Sequence, residues 1–332
     1  MLKAIIFDLD TEWKQAKQNI PDGDRYHPLP GMRQILQKLT QEGIHLTLVS
    51  SLSECEIRER TQSMKIQNYF QHLLSSDEVE HTKPAADLLT LALQKSGVTL
   101  AEALVVADSY CGIQTAKAAT LPCIGFLHPH SENTDFRDAD ILLESFDELS
   151  TSFFFHVHSR FYGQPITIAS TRRLWIRELA IENIPALCTI YQDPNIRRFI
   201  TEIEDCMEDE AARQRAYIHT VYPFYEYGLW GIFHKASGTL IGRCGIENHI
   251  VAGKEEITLS YLLDSKHWGH GYASEACKAV LHYAQEELDI HRIIAVIDYE
   301  NQRSLRTAAN LGMKLEKELI YQNRPCFQFA LE

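Results

Sequence analysis

No apolar run in this chain is long enough to cross a bilayer, so no helical membrane protein is expected. The apolar stretch Leu2 to Phe7 is also too short for a signal peptide and runs straight into aspartates. The eight cysteines, at 55, 111, 123, 188, 206, 244, 277 and 326, include no Cys-x-x-Cys pair. Neither a zinc site nor a disulfide framework is indicated, and a reduced, cytoplasmic protein is expected. Positive charge is scarce: 32 Lys and Arg face 45 Asp and Glu, a net charge of −13. That balance argues against sequence-independent nucleic-acid binding. Apolar residues are not scarce. At 45% of 332 residues they suffice for two ordinary cores, which argues for two domains and against wholesale disorder.

The first half alternates strands with helices. Ala4 to Asp10 reads as a buried strand ending in two carboxylates, Asp8 and Asp10. Gly31 to Leu39 reads as a helix and Ile44 to Val49 as a second buried strand, followed by Ser50 and Ser51. Residues 54–72 contain a helix-like segment, Lys83-Pro84 precedes a helix from Asp87 to Ser96, and Ala103 to Val106 leads to Asp108 as a further strand. Gly112 to Ala119 is helical in pattern, and 122–126 and 140–143 read as short strands. Such alternation predicts an α/β domain with a doubly wound parallel sheet, whose ligands bind at the carboxyl edge of the strands.

Four short motifs fall in order along this half: Phe7-Asp8-Leu9-Asp10, Ser50 after a strand, Lys83 in Lys-Pro-Ala-Ala-Asp, and Asp108 in Val-Val-Ala-Asp-Ser-Tyr. With them, residues 1–150 resemble the haloacid dehalogenase superfamily. Phosphoryl transfer needs a nucleophile, a proton donor and positive charge around the oxygens. The resemblance implies that Asp8 attacks phosphorus and that Asp10 protonates the leaving group and then activates water. It gives Ser50 and Lys83 the phosphoryl oxygens. It implies Mg²⁺ on Asp8, Asp108 and Asp10, through a backbone carbonyl near Asp10. The sequence departs from the family pattern at Thr11-Glu12, after Asp10, and at Ala107, before Asp108. Two readings therefore stand: a working phosphatase domain, or a structural or regulatory module. Residues 11–29 carry Asn19, Pro21, Asp22, Gly23, Asp24 and Pro28 and read as a loop, with no room for a large cap.

Residues 151–165 form an aromatic junction with Phe153, Phe154 and Phe155, expected as a packed joint or as a strand laid on one domain. His156 and His158 then fall on a polar strand face rather than in a metal site. In the second half, 172–179, 229–234, 239–246, 256–263, 291–298 and 325–330 read as strands, and 183–191 and 208–221 as helices. The key stretch is Tyr261 to Ala276. An apolar strand ends at Asp264, glycines follow at 269 and 271, and a helix starts at once with Ala276, Ala279, Val280, Tyr283 and Ala284 at helical spacing. Strand, glycine loop and helix N-terminus suit a pyrophosphate. The loop does not match Gly-x-Gly-x-x-Gly, which weakens a dinucleotide fold. Tyr222 to Gly228 is an aromatic cluster, read as core packing with acceptor-pocket lining as the lesser alternative.

Arg173-Leu-Trp-Ile-Arg-Glu-Leu, the Tyr261–Ala276 block, Asn301-x-x-Ser304 and Leu311-Gly312-Met313 make residues 166–332 similar to the GCN5-related N-acetyltransferases (GNAT), in the branch that acetylates ribosomal-protein N-termini. An α+β mixed sheet and acetyl-CoA are implied. Trp268, Gly269, His270, Gly271, Tyr272 and Ala273 would offer backbone N–H groups to the pyrophosphate. Leu262 and Leu263 would pair with the pantetheine arm and Asn301 would hydrogen-bond it. Ser304 would sit near the sulfur and could donate to the departing thiolate; the family's usual tyrosine position is Ala308 here, so Ser304 or an ordered water must carry that proton. Glu247 and Glu256 are the candidate general bases. The chain is thus expected to carry an acetyltransferase for a small-molecule or peptide amine. The expected partner domain is a phosphatase for a phosphorylated substrate, with acetyl-CoA and Mg²⁺ as the implied cofactors and no nucleic-acid or membrane partner.

Overall fold

An unbroken apolar run suits a strand covered on both faces. Ala4 to Phe7 is such a run, and β1 (Ala4–Asp8) is buried along its whole length. It lies inside a six-stranded sheet with β2 (His45–Ser50), β3 (His72–Ser75), β4 (Ala103–Ala107), β5 (Cys123–Phe126) and β6 (Ile141–Leu143). All neighbours are parallel, in the order β3-β2-β1-β4-β5-β6. The order reverses at β1, so the carboxyl ends of β1, β2 and β4 open on one crevice. The helices are α1 (Met32–Gln41), α2 (Glu54–Ser63), α3 (Asp87–Ser96), α4 (Tyr110–Ala118) and α5 (Ser152–Phe161). In α1, Met32, Ile35, Leu36 and Leu39 recur at helical spacing and are buried, each contributing about 1.5–3 kcal/mol. Two apolar cores line the sheet, one with Phe7, Leu48 and Phe146, the other with Ile6, Val49 and Ile113.

The computed structural model describes residues 1–10, 29–127, 135–200 and 206–331. It divides into two units, Met1–Gln164 and Pro165–Glu332. The second contains β7 (Thr167–Ser170), β8 (Leu174–Arg177), β9 (Leu229–His234), β10 (Leu240–Val251), β11 (Lys254–Leu263), β12 (Ile293–Asp298), β13 (Lys314–Tyr321) and β14 (Arg324–Leu331). Its helices are α6 (Ile184–Tyr191), α7 (Pro194–Arg197), α8 (Met207–Tyr225), α9 (Tyr272–Glu286) and α10 (Gln302–Asn310). The strands form one mixed sheet, β13-β14-β12-β11-β10-β9-β8-β7. β11 and β12 are parallel and pair at Thr258 and Ile294 alone. Beyond Thr258 they part, while β11 stays paired with β10 as far as Leu263. Among the described residues no helix is long and apolar enough to cross a membrane.

Several expectations need correction. The aromatic stretch after residue 151 is not a strand but α5, which buries Phe154, Val157 and His158. His156 and His158 therefore lie on a helix, not on a strand face. The helix-like segment expected within 54–72 is present as α2, and a short 3₁₀ turn at Gln67–Tyr69 then leads into β3. Strands β7 and β13 were not expected. The loop expected at residues 11–29, and with it the missing cap and Thr11-Glu12, lies almost wholly outside the described residues.

Candidate functional site

The first crevice collects the strand-end residues. Asp8 closes β1, Ser50 closes β2 and Asp108 follows β4. Lys83 enters from the loop between β3 and α3, and its side chain is 2% exposed. It meets Asp8 Oδ1 directly and Asp10 Oδ2 at 3.0 Å. Burial pushes the Asp8 carboxyl up to about 7, against the pull of Lys83 and with the push of Asp10 and Asp108. Asp10 is also penalised by burial. Lys83 and the donors from Ser51 and Ser50 outweigh that penalty and hold it below the ordinary carboxylate range. Lys83 itself loses by burial but is raised by the two carboxylates, so it stays protonated.

Asp10 is saturated. Ser50 Oγ and Ser51 N donate to Oδ1 at 2.8 Å each, Ser51 Oγ donates to Oδ2 at 2.9 Å, and Lys83 supplies the remaining donor. Ser50 Oγ also lies 2.9 Å from the Leu9 carbonyl oxygen. Asp108 Oδ1 accepts from Asp10 N at 2.8 Å. Among the described residues no group of three or more His, Cys, Asp or Glu side chains stands together for a metal. The expected set asks for two carboxylates, Asp8 and Asp108, with a backbone carbonyl near Asp10. Asp8 Oδ2 is buried and has no hydrogen-bond partner. A buried anionic oxygen without a donor suits a cation. Asp8 and Asp108 therefore fit a hard divalent ion, and the Asp10 side chain does not. Two contributors escaped the sequence reading. Ser51 gives Asp10 two of its donors. Gly112, in the first turn of α4, stands so close that a Cβ there would lie 3.0 Å from Asp8 Oδ2.

The second site lies where β11 leaves β12. Trp268 Nε1 donates to the Leu263 carbonyl at 2.8 Å, which ties the glycine loop to the strand end. Gly269 and Gly271 both take positive φ, 80° and 78°, and Gly271 is the N-cap of α9. This is a left-handed entry to a 15-residue helix, with the first backbone N–H groups free of a side-chain cap. Arg303 lies 3.9 Å over the Trp268 ring, and Arg173 lies 4.3 Å over Tyr272 while paired with Glu275 at 2.6 Å. His270 stacks on Tyr272. The opened strand edge and this cradle fit the pantetheine and diphosphate of CoA.

Across the opening, Asn301 Oδ1 caps α10 by accepting from Ser304 N at 3.1 Å. Ser304 Oγ in turn accepts from Tyr261. Leu262 is buried, packed with Tyr191 of α6. The two candidate bases have different surroundings. Glu247 accepts from Tyr217 of α8 at 3.0 Å and lies 3.7 Å from His249. Burial raises its carboxyl, but His249, Arg243 and Tyr217 together hold it below the ordinary value. Glu256 instead clamps Arg292, at 3.1 and 3.2 Å, beside Glu316. Its oxygens are engaged in an ion pair at the far end of β11. Tyr217 had no separate sequence signal, being one aromatic among many, and Tyr261 stood in the 261–276 block with no role of its own. Tyr222, in the aromatic cluster, is buried and donates to Leu229 O at 2.6 Å, as core packing requires.

Residues 6–126 match the model of the haloacid dehalogenase-like hydrolases. Residues 173–314 match that of the acetyltransferase (GNAT) domain. An uncharacterized protein, YkkB, of Bacillus subtilis (strain 168) is 34% identical over 101 residues, covering 30% of this chain and 59% of that protein. A phosphoglycolate phosphatase of Pseudomonas putida is 31% identical over 102 residues, covering 31% of this chain and 38% of that enzyme. An uncharacterized N-acetyltransferase, p20, of Bacillus licheniformis is 27% identical over 146 residues, covering 44% of this chain and 82% of that protein. The chain thus spans only 59% and 38% of the first two relatives' lengths.

Proposed function

We propose that this chain, which joins a haloacid dehalogenase-like domain to a GNAT domain, transfers acetyl from acetyl-CoA to an amine in residues 166–332 and hydrolyses a phosphate ester in residues 1–150. The carrying observation is the parting of β11 from β12 after Thr258, beside a helix whose N-terminus is entered through two left-handed glycines. Acetyl-CoA supplies the activated acetyl group. Leu262, Leu263, the 268–273 loop and Asn301 bind and orient it. Glu247, an anion at neutral pH, attracts the acceptor ammonium and takes its proton, so that the free amine attacks the carbonyl carbon. Ser304 donates a hydrogen bond to the departing sulfur, and the second proton shed by the acylated nitrogen ends on that thiolate, which leaves as the free thiol. A peptide N-terminus and a small amine both fit this chemistry. The eight cysteines without a pair motif support a reducing, cytoplasmic setting. The test is calorimetric titration with acetyl-CoA, followed by thiol release across a panel of amines. An absence of acetyl-CoA binding would falsify the reading.

In the other site Asp8 attacks phosphorus to give an aspartyl phosphate. Asp10, held as an anion in the free protein, takes up a proton with the substrate, passes it to the leaving oxygen and later takes one from the attacking water. Lys83, with Ser50, neutralises the phosphoryl oxygens. Mg²⁺ held by Asp8 and Asp108 would supply further charge neutralisation. A second reading has one observation in its favour: Lys83, Ser50 and Ser51 already saturate Asp10, as in a closed structural network. On that reading the first domain is a structural or regulatory module. Phosphate release from an aryl phosphate with Mg²⁺ decides between them, because the module gives no turnover that Asp8→Asn removes.

A further inference from the structure

This inference rests on the acetyltransferase reading and adds a residue to it. Tyr261 lies in β11 beyond the point where that strand leaves β12. Its hydroxyl donates to Ser304 Oγ at 3.1 Å. Ser304 stands in the first turn of α10, and Asn301 accepts from its backbone N–H. Both the backbone and the hydroxyl of Ser304 are therefore held. One turn further along the same face stands Ala308, buried and with no polar side-chain atom. Cys244, opposite Tyr261 in the β10–β11 register, and Cys277 are both buried. The Thr307 hydroxyl donates to Arg303 O at 3.1 Å. Burial pushes the Tyr261 phenol up to about 12, with Cys277 adding to the push, so it stays a neutral donor.

A serine hydroxyl has one hydrogen and two lone pairs. A donor seated on one lone pair leaves that hydrogen for another acceptor. Among the described residues Ser304 Oγ serves only as an acceptor, from Tyr261. We infer that Tyr261 is a positioning residue, holding the Ser304 hydroxyl with its hydrogen committed outward, as a donor to the sulfur of CoA. When the carbon–sulfur bond breaks, its electron pair stays on sulfur and the Ser304 hydrogen bond stabilises the thiolate. No proton leaves Tyr261. The fixed orientation takes the place of a tyrosine on α10, a position that Ala308 leaves apolar.

The test uses the full chain and needs no acceptor amine. Wild type, Tyr261→Phe, Ser304→Ala and the double variant are titrated by calorimetry at about pH 9, where much of the free thiol is ionised. The ligands are CoA and desulfo-CoA. Tyr261→Phe should weaken CoA binding roughly five-fold, as expected for one oriented hydrogen bond, and leave desulfo-CoA unchanged. In the Ser304→Ala background the same change should do nothing more. A partly unfolded variant loses both ligands equally, so the ratio of affinities isolates the sulfur contact. Equal losses on both ligands, or additive losses in the double variant, overturn the inference and leave the acetyltransferase reading intact. So does an unchanged ratio in Tyr261→Phe. A wild type that binds neither ligand overturns both.

Discussion

At the scale of single residues, the two sites differ in how they treat charge. The first buries it. Lys83 is 2% exposed between two carboxylates. Removing one partner from a buried ion network leaves uncompensated charge, at a cost of about 3–5 kcal/mol. Lys83→Met is therefore expected to lower stability by that amount in urea melts, and a loss under about 1 kcal/mol would contradict the buried network. Asp8→Asn should keep the fold and lower phosphate release by roughly 10⁴-fold or more, as removal of a nucleophile does. The second site keeps its candidate base half-buried. Glu247→Gln is expected to lower acetyl transfer by roughly 10²–10³-fold, and Glu256→Gln to change it little, because Glu256 is spent on Arg292. The pH sign follows from the environment. The Glu247 carboxyl is held below its ordinary 4.5, so it is ionised above that value and gains a proton only below it. Its protonation can then shape the rate only at acid pH. A limb near pH 7 that disappears in Glu247→Gln would sink the assignment.

At the scale of elements, glycine geometry and helix docking decide the outcome. Gly271 enters α9 at a φ of 78°. Any side chain there costs about 1–2 kcal/mol, and the loop relaxes by moving its N–H groups. Gly271→Ala should weaken acetyl-CoA binding by roughly five- to thirty-fold. Gly253→Ala is the matched control, with φ of 79° and open space at a hairpin tip, and should leave affinity unchanged. Helix α5 gives a pH prediction. Its His158 is 2% exposed and hydrogen-bonds Ala101 O at 3.0 Å. Burial holds its imidazole below 6.5, against a smaller upward pull from that carbonyl. The folded state then resists a proton that the unfolded state accepts. Stability is full above 6.5 and falls as pH drops below it. His158→Phe should flatten that fall between about pH 7 and 5.5 in urea melts. The elements also show what sequence pattern can carry. β1, β2 and β4 were legible because strands buried on both faces need unbroken apolar runs. β13, Lys314–Tyr321, was not, because an edge strand exposes alternating charged residues and buries little. α5 was misread because phenylalanines favour strands in isolation, whereas Phe154, Val157 and His158 lie one helical turn apart. Asp8, Ser50 and Asp108 were legible as strand ends. Ser51, Gly112, Tyr217 and Tyr261 were not, since their partners depend on sheet order and helix docking.

At the scale of the whole molecule, the chain divides between Gln164 and Pro165. Each part has its own sheet and its own cores, the first built on Phe7, Leu48, Ile6 and Val49, the second on Trp230, Ile246, Leu187, Phe233 and, in a smaller cluster, Ile294. A unit with a complete core and no strand borrowed from elsewhere satisfies the physical requirement for independent folding. Each candidate site is also assembled inside one unit: Asp8, Asp10, Ser50, Lys83 and Asp108 in the first, and Glu247, Tyr261, Gly271 and Ser304 in the second. Residues 1–164 and 165–332, expressed separately, are therefore each expected to unfold in one cooperative transition. The second fragment should bind acetyl-CoA with the affinity of the full chain to within about three-fold, since additivity holds for sites without shared partners. The same reasoning separates the chemistry. In the full chain Asp8→Asn should leave acetyl transfer unchanged, and Glu247→Gln should leave phosphate release unchanged. Two measurements bear on this: thermal melts of the fragments, and the pair of activities in the two variants. A fragment without a cooperative melt would show that its core is incomplete. A variant that lowers both activities would show that the sites act through one another, and the first domain would then be a regulator of the second rather than an independent catalyst.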